Sequence, residues 1–325
     1  MQKFLFVLKN LSRIVLLVGL VFYILFFPFV LSKTYKASPA DDIFGTKSAD
    51  VVMDMWHIEA FEGGTSSRKS LLEKVSIAYN KSNPGVFVAI RTMTLEQYLI
   101  NVKQNKPDII SFPRGIVDSG MLIDLPRLKI LNEEYTSACQ KQGELLCYPY
   151  MLGRYVLISK DKISPNNLCG DISKTKKKMI YPLGISNTSH WQKVLSENNY
   201  LYNNVKQSLT QYDNYKDFLD GNIKVLLGSQ RDVHRLKSRE EKGKIEALEY
   251  VYLDGYTDLV QYIGVCCDSN KVNRAKAFCE YLMSYDSQMK INSIGMFSAV
   301  YDIYTDGYMN EWENAVNKTT ITSPF

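Results

Sequence analysis

Trp56, His57, Phe61, Glu62 and Arg68 bring two aromatic rings, an imidazole, a carboxylate and a guanidinium into one short stretch of the chain. Aromatic faces cover the apolar faces of a ring-shaped ligand, and charged and amide groups take up its hydroxyls; a polar-solute site needs both. The elements around them are set up for that work. Val51, Val52, Met53, Met55 and Trp56 read as a short apolar strand. Gly63 and Gly64 give the backbone a turn, and Thr65, Ser66 or Ser67 can cap a helix that repeats Leu71, Leu72, Val75, Ala78 and Tyr79 at helical spacing. A helix N-terminus offers free N–H donors and partial positive charge, so the strand-to-helix turn can hold a polar ligand. The competing reading makes the aromatics core residues and Glu62 with Arg68 a surface pair. Catalytic chemistry finds little support. The chain has no Gly-x-Ser-x-Gly elbow, no His-Glu-x-x-His helix, no P-loop and no Cys-x-x-Cys pair. Its histidines are His57, His190 and His234, and His57 with Glu59 is a lone pair on one strand. The expectation is a protein that is not an enzyme, with no metal site and no cofactor.

Further along, Asn83-Pro84-Gly85 makes a tight turn into a second strand, Val86 to Ile90. Thr94 with Gln97 forms a capping box that opens a second helix carrying Leu95, Tyr98, Leu99 and Val102. Lys106-Pro107-Asp108 turns into a third buried strand, Ile109 to Phe112. This β-α-β-α-β run predicts an open, doubly wound α/β sheet whose ligands sit beyond the carboxyl ends of its strands.

The order Trp56-His57, Phe61 to Gly64, Ser67-Arg68, Asn83 to Gly85, then Pro107 to Phe112 resembles the start of the bacterial extracellular solute-binding proteins (family 1), the sugar-type substrate-binding proteins of ATP-driven importers. Later motifs keep the family's order. Leu146 to Tyr150 and Gly153 to Lys160 are similar to its first crossing between lobes, and Phe218 to Gln230 to its strand leading into a helix. Asn273 to Leu282, followed by Gln288, resembles its late helix. The similarity runs from about residue 50 to 300. It implies a two-lobed, periplasmic-binding-protein-like type II fold. Lobe 1 would start at 51–152, lobe 2 would occupy 153–255, 256–300 would cross back and complete lobe 1, and 301–325 would be a C-terminal segment. Within lobe 2, a helix is expected over Asn187 to Asn199 with Trp191 as a core residue, and a strand over Ile223 to Leu227 before a helix starting at Ser229.

The implied function is capture of a small solute, a saccharide, between the lobes and its delivery to the membrane permease of an importer. The alternative is a membrane-anchored sensor or scaffold of the same fold. Expected ligand contacts in lobe 1 are Trp56, Glu62, Arg68 and Arg114, with Tyr148, Tyr150 and Tyr155 at the first crossing. Gln230, Arg231 and Asp232 lie where a lobe 2 strand becomes a helix, with a surface pairing of Arg231 and Asp232 as the other reading. Tyr256, Thr257, Asp258 and Gln261 complete the set on the return crossing.

Ile14 to Leu31 is unbroken by charge and long enough to span a bilayer. Lys3, Lys9 and Arg13 precede it, which predicts a signal-anchor helix over 1–32 with its N-terminus in the cytoplasm, and everything after a stalk at 33–49 on the outer face of the bacterial membrane. A cleaved signal peptide is the rival reading. Family members are commonly tethered through a cysteine just after such a run, but the first cysteine here is Cys139. Residues 1–36 hold five of the 39 basic residues and no acid, which leaves 34 bases against 34 acids. The basic balance is therefore a topology signal, and nucleic acid is not an expected partner. Of six cysteines, Cys139 and Cys147 flank a short loop and can bridge if the chain turns back at Gly143. Cys266 and Cys267 are expected on opposite faces of one strand, and Cys279 on the apolar face of a helix.

Overall fold

The structure, a computed structural model, describes residues 50–59, 68–131, 133–160, 162, 179–181, 190–199, 205–207, 211–222, 225–300, 303, 319–321 and 323–325. The chain forms two compact units, residues 1–51 with 80–86 and residues 52–79 with 87–325. In the first, Asn83 N–H donates to Asn80 O and Val86 N–H to Asn83 O, both at 3.2 Å, which makes the expected tight turn. Gly85 sits at φ +90°, and a Cβ there would lie 2.7 Å from Asp50 Oδ2, so the turn requires glycine.

The elements follow in chain order: β1 (Val51–Ile58), α1 (Arg68–Ser82), β2 (Val86–Met93), α2 (Leu95–Asn101) and β3 (Ile109–Pro113). Then come α3 (Glu133–Ala138), β4 (Gln140–Lys141), β5 (Glu144–Leu145), β6 (Tyr148–Leu152), β7 (Tyr155–Ser159) and β8 (Met179–Tyr181). Next are α4 (His190–Glu197), β9 (Val205–Gln207), α5 (Gln211–Leu219), β10 (Val225–Ser229), α6 (Gln230–Glu241), β11 (Glu249–Tyr252), β12 (Gly255–Thr257) and β13 (Val260–Val265). The last are α7 (Val272–Leu282), α8 (Tyr285–Gln288), β14 (Phe297–Ser298) and β15 (Thr319–Ile321).

Two sheets carry the second unit. One has the order β14-β6-β13-β3-β1-β2, the other β11-β7-β10-β8-β9. In the first, β1 and β3 are parallel, and β13 runs antiparallel between β3 and β6. In the second, β8 is parallel to both β9 and β10, while β7 runs antiparallel between β10 and β11. Every residue of β3, β6, β7 and β13 is buried. Such two-sided burial explains why these strands are near-continuous apolar runs without alternation. The helices supply the cover. Leu71, Leu72, Val75 and Tyr79 of α1 are buried, and the Tyr79 ring meets Phe278 of α7 edge-on at 5.3 Å between centroids. Each large side chain so buried contributes about 2–3 kcal/mol.

Local sequence signals hold where they are self-contained. Thr94 caps α2 in the expected reciprocal box, its N–H donating to Gln97 Oε1 at 2.9 Å while Gln97 N–H donates to Thr94 Oγ1 at 3.3 Å. The β4–β5 hairpin turns through Gln142 at φ +54° and Gly143 at φ +91°, both left-handed as a tight two-residue hairpin requires.

Several expectations shift. β2 continues past Ile90 to Met93, and the strand expected over Ile223 to Leu227 is described over Val225–Ser229. Ser229 is the N-cap of α6 and not its first helical residue. The helix expected from Asn187 is described over His190–Glu197, and the side chain of Trp191 lies outside the description. Cys266 and Cys267 fall beyond β13, because Ser269 N–H turns back to Cys266 O at 3.2 Å ahead of α7; Cys266 is buried and Cys267 exposed. Cys139 and Cys147 are both buried free thiols in mutual hydrogen-bond contact. Among the described residues no helix is long and apolar enough to cross a membrane; the anchor and stalk expected over 1–32 and 33–49 lie outside them.

Candidate functional site

One polar residue from each of four neighbouring strands joins a hydrogen-bonded row. On β1 and β3, His57 is opposite Ser111; Gln261 comes from β13 and Tyr150 from β6. All four are fully buried. Ser111 Oγ is the centre, lying 2.9 Å from His57 Nδ1, 2.9 Å from the Tyr150 hydroxyl and 3.0 Å from Gln261 Nε2. A serine hydroxyl has one donor and two acceptor sites, so three partners use it completely. Gln261 N–H donates to it; of His57 and Tyr150, one donates and the other accepts. Gln261 Nε2 also donates to Ile58 O at 3.2 Å, and its Oε1 accepts from Arg68 Nη1 at 3.5 Å. Arg68 is the first residue of α1 and is fully buried as well. The row thus ends at a guanidinium on a helix N-terminus, close to the carboxyl end of β1.

A second polar cluster joins the two passages between the sheets. The chain leaves the six-stranded sheet after Leu152 and enters the five-stranded one at Tyr155; it leaves that sheet after Tyr252 and rejoins the first at Val260. The two passages are bonded to each other. Gly153 N–H donates to Leu259 O at 2.5 Å, and Thr257 Oγ1 donates to Gly153 O at 2.9 Å. Tyr155 hydroxyl donates to Asp258 Oδ1 at 2.7 Å. Arg154 is almost wholly buried, donating from Nε to Leu253 O at 2.9 Å and pairing through Nη2 with Asp254. Burial lowers its pKa, and the Asp254 carboxylate opposes that shift. No side chain fits at position 153, where a Cβ would lie 2.7 Å from Leu259 Cβ and 2.9 Å from Gln230 Oε1.

Gln230 ties α6 to the first passage. Its Oε1 accepts from Arg154 N–H at 2.6 Å, its own N–H donates to Arg154 O at 3.1 Å, and its Nε2 donates to Met296 Sδ at 2.6 Å. Arg231 and Asp232 follow on the same helix, and both are buried, so the surface pairing does not occur. Asp232 Oδ2 accepts from Ser229 N–H at 2.9 Å, and its Oδ1 lies 3.7 Å from Arg235 Nη1. Burial pushes the Asp232 carboxyl up, against the pull of Ser229 N–H and of Arg235 and Arg231.

The structure therefore gathers Arg68, Tyr150 and Gln261 in one cluster and Tyr155, Gln230 and Asp258 in the other. It places Trp56 and Tyr148 elsewhere. Trp56 Nε1 donates to Asp54 Oδ2 at 3.0 Å, and its ring packs edge-on against Tyr98 at 6.5 Å. Burial pushes the Tyr98 phenol up to about 12. Tyr148 hydroxyl donates to Pro126 O at 2.6 Å. Arg114, just past β3, donates from Nε to Ser323 O at 3.0 Å. Glu62 and the side chain of Tyr256 lie outside the description. Sequence reasoning passed over Ser111 and Arg154. Ser111 carried a usable signal: a hydroxyl inside the apolar run Ile109 to Phe112 must find a partner once buried. Among the described residues no group of three or more His, Cys, Asp or Glu side chains could hold a metal ion.

No protein-family model matches the chain, and no curated protein matches it in sequence. Solved structures do match it in fold. The GacH receptor of Streptomyces glaucescens, crystallised unliganded and with acarbose, superposes with a TM-score of 0.61 at 11% identity over 85% of this chain and 88% of that one. The extracellular solute-binding protein of Staphylococcus aureus, solved with maltose, gives 0.57 at 14% identity over 84% and 87%. Iron-bound HitA of Pseudomonas aeruginosa also gives 0.57, at 15% identity over 79% and 89%. Sugar and iron binders thus share the architecture, and at these identities the likeness concerns the fold. The chain has the two-lobed, periplasmic-binding-protein-like α/β fold.

Proposed function

We propose that this protein is the extracytoplasmic solute-binding component of an ATP-driven importer, and that its solute is a carbohydrate captured between two lobes. The observation that carries the reading is the pair of hydrogen-bonded passages between the sheets, with Gly153 at their closest approach. Two rigid lobes joined by a few residues can close on a ligand whose contacts favour the closed state. On this reading lobe 1 comprises 51–152 and 256–300, and lobe 2 comprises 153–255. Residues 1–32 anchor the chain with its N-terminus in the cytoplasm, 33–49 form a stalk, and delivery is to a membrane permease on the outer face. The protein performs no catalysis.

The carbohydrate assignment draws on the sugars bound by GacH and the Staphylococcus aureus protein and on the mixture of hydroxyl, amide and guanidinium groups in the row that runs from Ser111 through Gln261 to Arg68. Arg68, Gln261 and Tyr150 would serve the lobe 1 side, Tyr155 and Asp258 the hinge, and Gln230, Arg231 and Asp232 the lobe 2 side. Titration calorimetry of the purified chain against mono- and oligosaccharides, uronic acids, sugar phosphates and ferric ion tests it. A saccharide should bind, and Arg68→Ala and Asp258→Ala should each weaken it at least tenfold. Binding of ferric ion alone, with every saccharide silent, sinks the carbohydrate reading.

A further inference from the structure

Arg114 and Gly115 are the first two residues beyond the carboxyl end of β3, the edge at which an open α/β sheet receives its ligand. One donor of each is already engaged. Arg114 Nε–H donates to Ser323 O at 3.0 Å, and Gly115 N–H donates to Pro324 O at 2.7 Å. The segment that supplies these carbonyls is firmly seated. Immediately before them, β15 pairs in parallel with β12, Gly255 opposite Thr319, Tyr256 opposite Thr320 and Thr257 opposite Ile321. Ile321 and Pro324 are buried, and α3 packs beside β15. Its pairing partner β12 belongs to the return passage, where Thr257 Oγ1 holds Gly153 O at 2.9 Å. Residues 319–321, at the hinge, and 323–325, at the end of β3, therefore form a strap.

Resting on the solute-binding reading above, we propose that this strap is a specificity element, a built-in wall that limits the site to a short saccharide of one or two rings. Its main-chain carbonyls take the positions that hydroxyls of a further ring would occupy against Arg114 and Gly115. Those carbonyls accept hydrogen bonds as sugar hydroxyls do, so the wall satisfies the donors while it blocks the space. A strap held by strand pairing and two buried apolar side chains does not yield to a ligand whose extra ring gains only exposed hydrogen bonds.

The test compares the full chain with a variant lacking residues 319–325 and with Ile321→Asp, which places a charge in the strap's buried anchor without shortening the chain. Both are titrated with graded series of α- and β-linked oligosaccharides from one to four rings. In the full chain affinity should peak at one or two rings and fall at least tenfold at the third. Unseating the strap should raise affinity for three- and four-ring members at least tenfold while changing the short ones less than threefold. Where the deletion fails to give a cooperative melt, Ile321→Asp carries the comparison. Sugar binding with the same length profile in all chains overturns the strap proposal and leaves the solute-binding reading standing. No saccharide bound by any of the chains overturns both.

Discussion

The two sheets answer the same topological problem with different polar chemistry. In each, a central strand has parallel neighbours on one or both sides and an antiparallel strand enters next to the third: β13 beside β3, β7 beside β10. The six-stranded sheet keeps its polar residues inside the strands, where His57, Ser111, Gln261 and Tyr150 satisfy one another across four chains of hydrogen-bonded backbone. The five-stranded sheet keeps its own at a strand-to-helix junction, where Ser229, Gln230 and Asp232 serve the cap of α6 and the passage at Arg154. The first arrangement is saturated and far-reaching in sequence, the second local. Removing one group from the first should strand several buried partners, whereas removing one from the second should cost little more than a cap.

Glycines at matching places sharpen this contrast most. Gly153→Ala forces a Cβ to 2.7 Å from Leu259 Cβ and 3.1 Å from Leu259 O, and backbone cannot step aside. The expected loss is about 3 kcal/mol in urea unfolding, as for overpacking against rigid neighbours. Gly228→Ala in β10 meets Asp232 Oδ2 at 2.9 Å, Ile158 Cδ1 at 3.1 Å and Asp232 Cβ at 3.2 Å. Ile158 can rotate and Asp232 Oδ2 can shift at the expense of its contact with Ser229, so the change should cost about 1.5 kcal/mol. Equal losses at the two sites would remove the distinction between a fixed passage and an adaptable sheet. One step smaller, Ser111→Ala leaves buried groups of His57, Tyr150 and Gln261 without their common partner, for about 2 kcal/mol. Ser229→Ala at the α6 cap should cost under about 1 kcal/mol, because Asp232 Oδ2 still accepts from the residue 229 N–H. Matched urea midpoints for the two alanines would show that the row in the first sheet is no more cooperative than a cap.

What the sequence disclosed follows the same division. The Thr94–Gln97 box, the Asn83 to Gly85 turn and the start of α6 near Ser229 are local devices, written within four residues, and each is found in the structure. Arg68 and Gln261 could be nominated singly, yet their contact spans 193 positions and depends on β13 returning antiparallel between β3 and β6. No local pattern encodes that insertion. Trp56 and Tyr148 could likewise be nominated singly, but their surroundings could not be read: strand alternation turns Trp56 away from its neighbour His57 and toward Tyr98, and the Tyr148 hydroxyl donates to Pro126 O, on a strand whose pairing with β13 is irregular at Tyr150. Arg154 was hidden because its value lies in being buried between two passages, which composition does not reveal.

The smallest effect expected is also the one that separates the sheets by sign. Asp108, at the start of β3, accepts hydrogen bonds from Ser269 Oγ at 2.7 Å, Lys271 Nζ at 2.9 Å and Asp54 N–H at 2.8 Å. Burial alone would raise its pKa, but these partners outweigh burial and hold it below the usual carboxylate value. Unfolded, the group titrates near ~3.9. Below that pH the unfolded chain binds the proton first, so the stability Asp108 contributes is present above the unfolded pKa and is lost as pH falls through the folded one. Asp232 runs the other way, because burial holds its folded pKa above the unfolded value. Its contribution is present below ~3.9 and is lost as pH rises through the folded pKa. Urea midpoints measured from acid to neutral pH should therefore rise less steeply in Asp108→Asn, which loses an acid-side fall, and more steeply in Asp232→Asn, which loses a contribution that declines as pH rises. Two variants that change the profile in the same direction would mean that Asp108 beside β3 and Asp232 at the α6 cap sit in equivalent surroundings, and the contrast between the two sheets would not extend to their carboxylates.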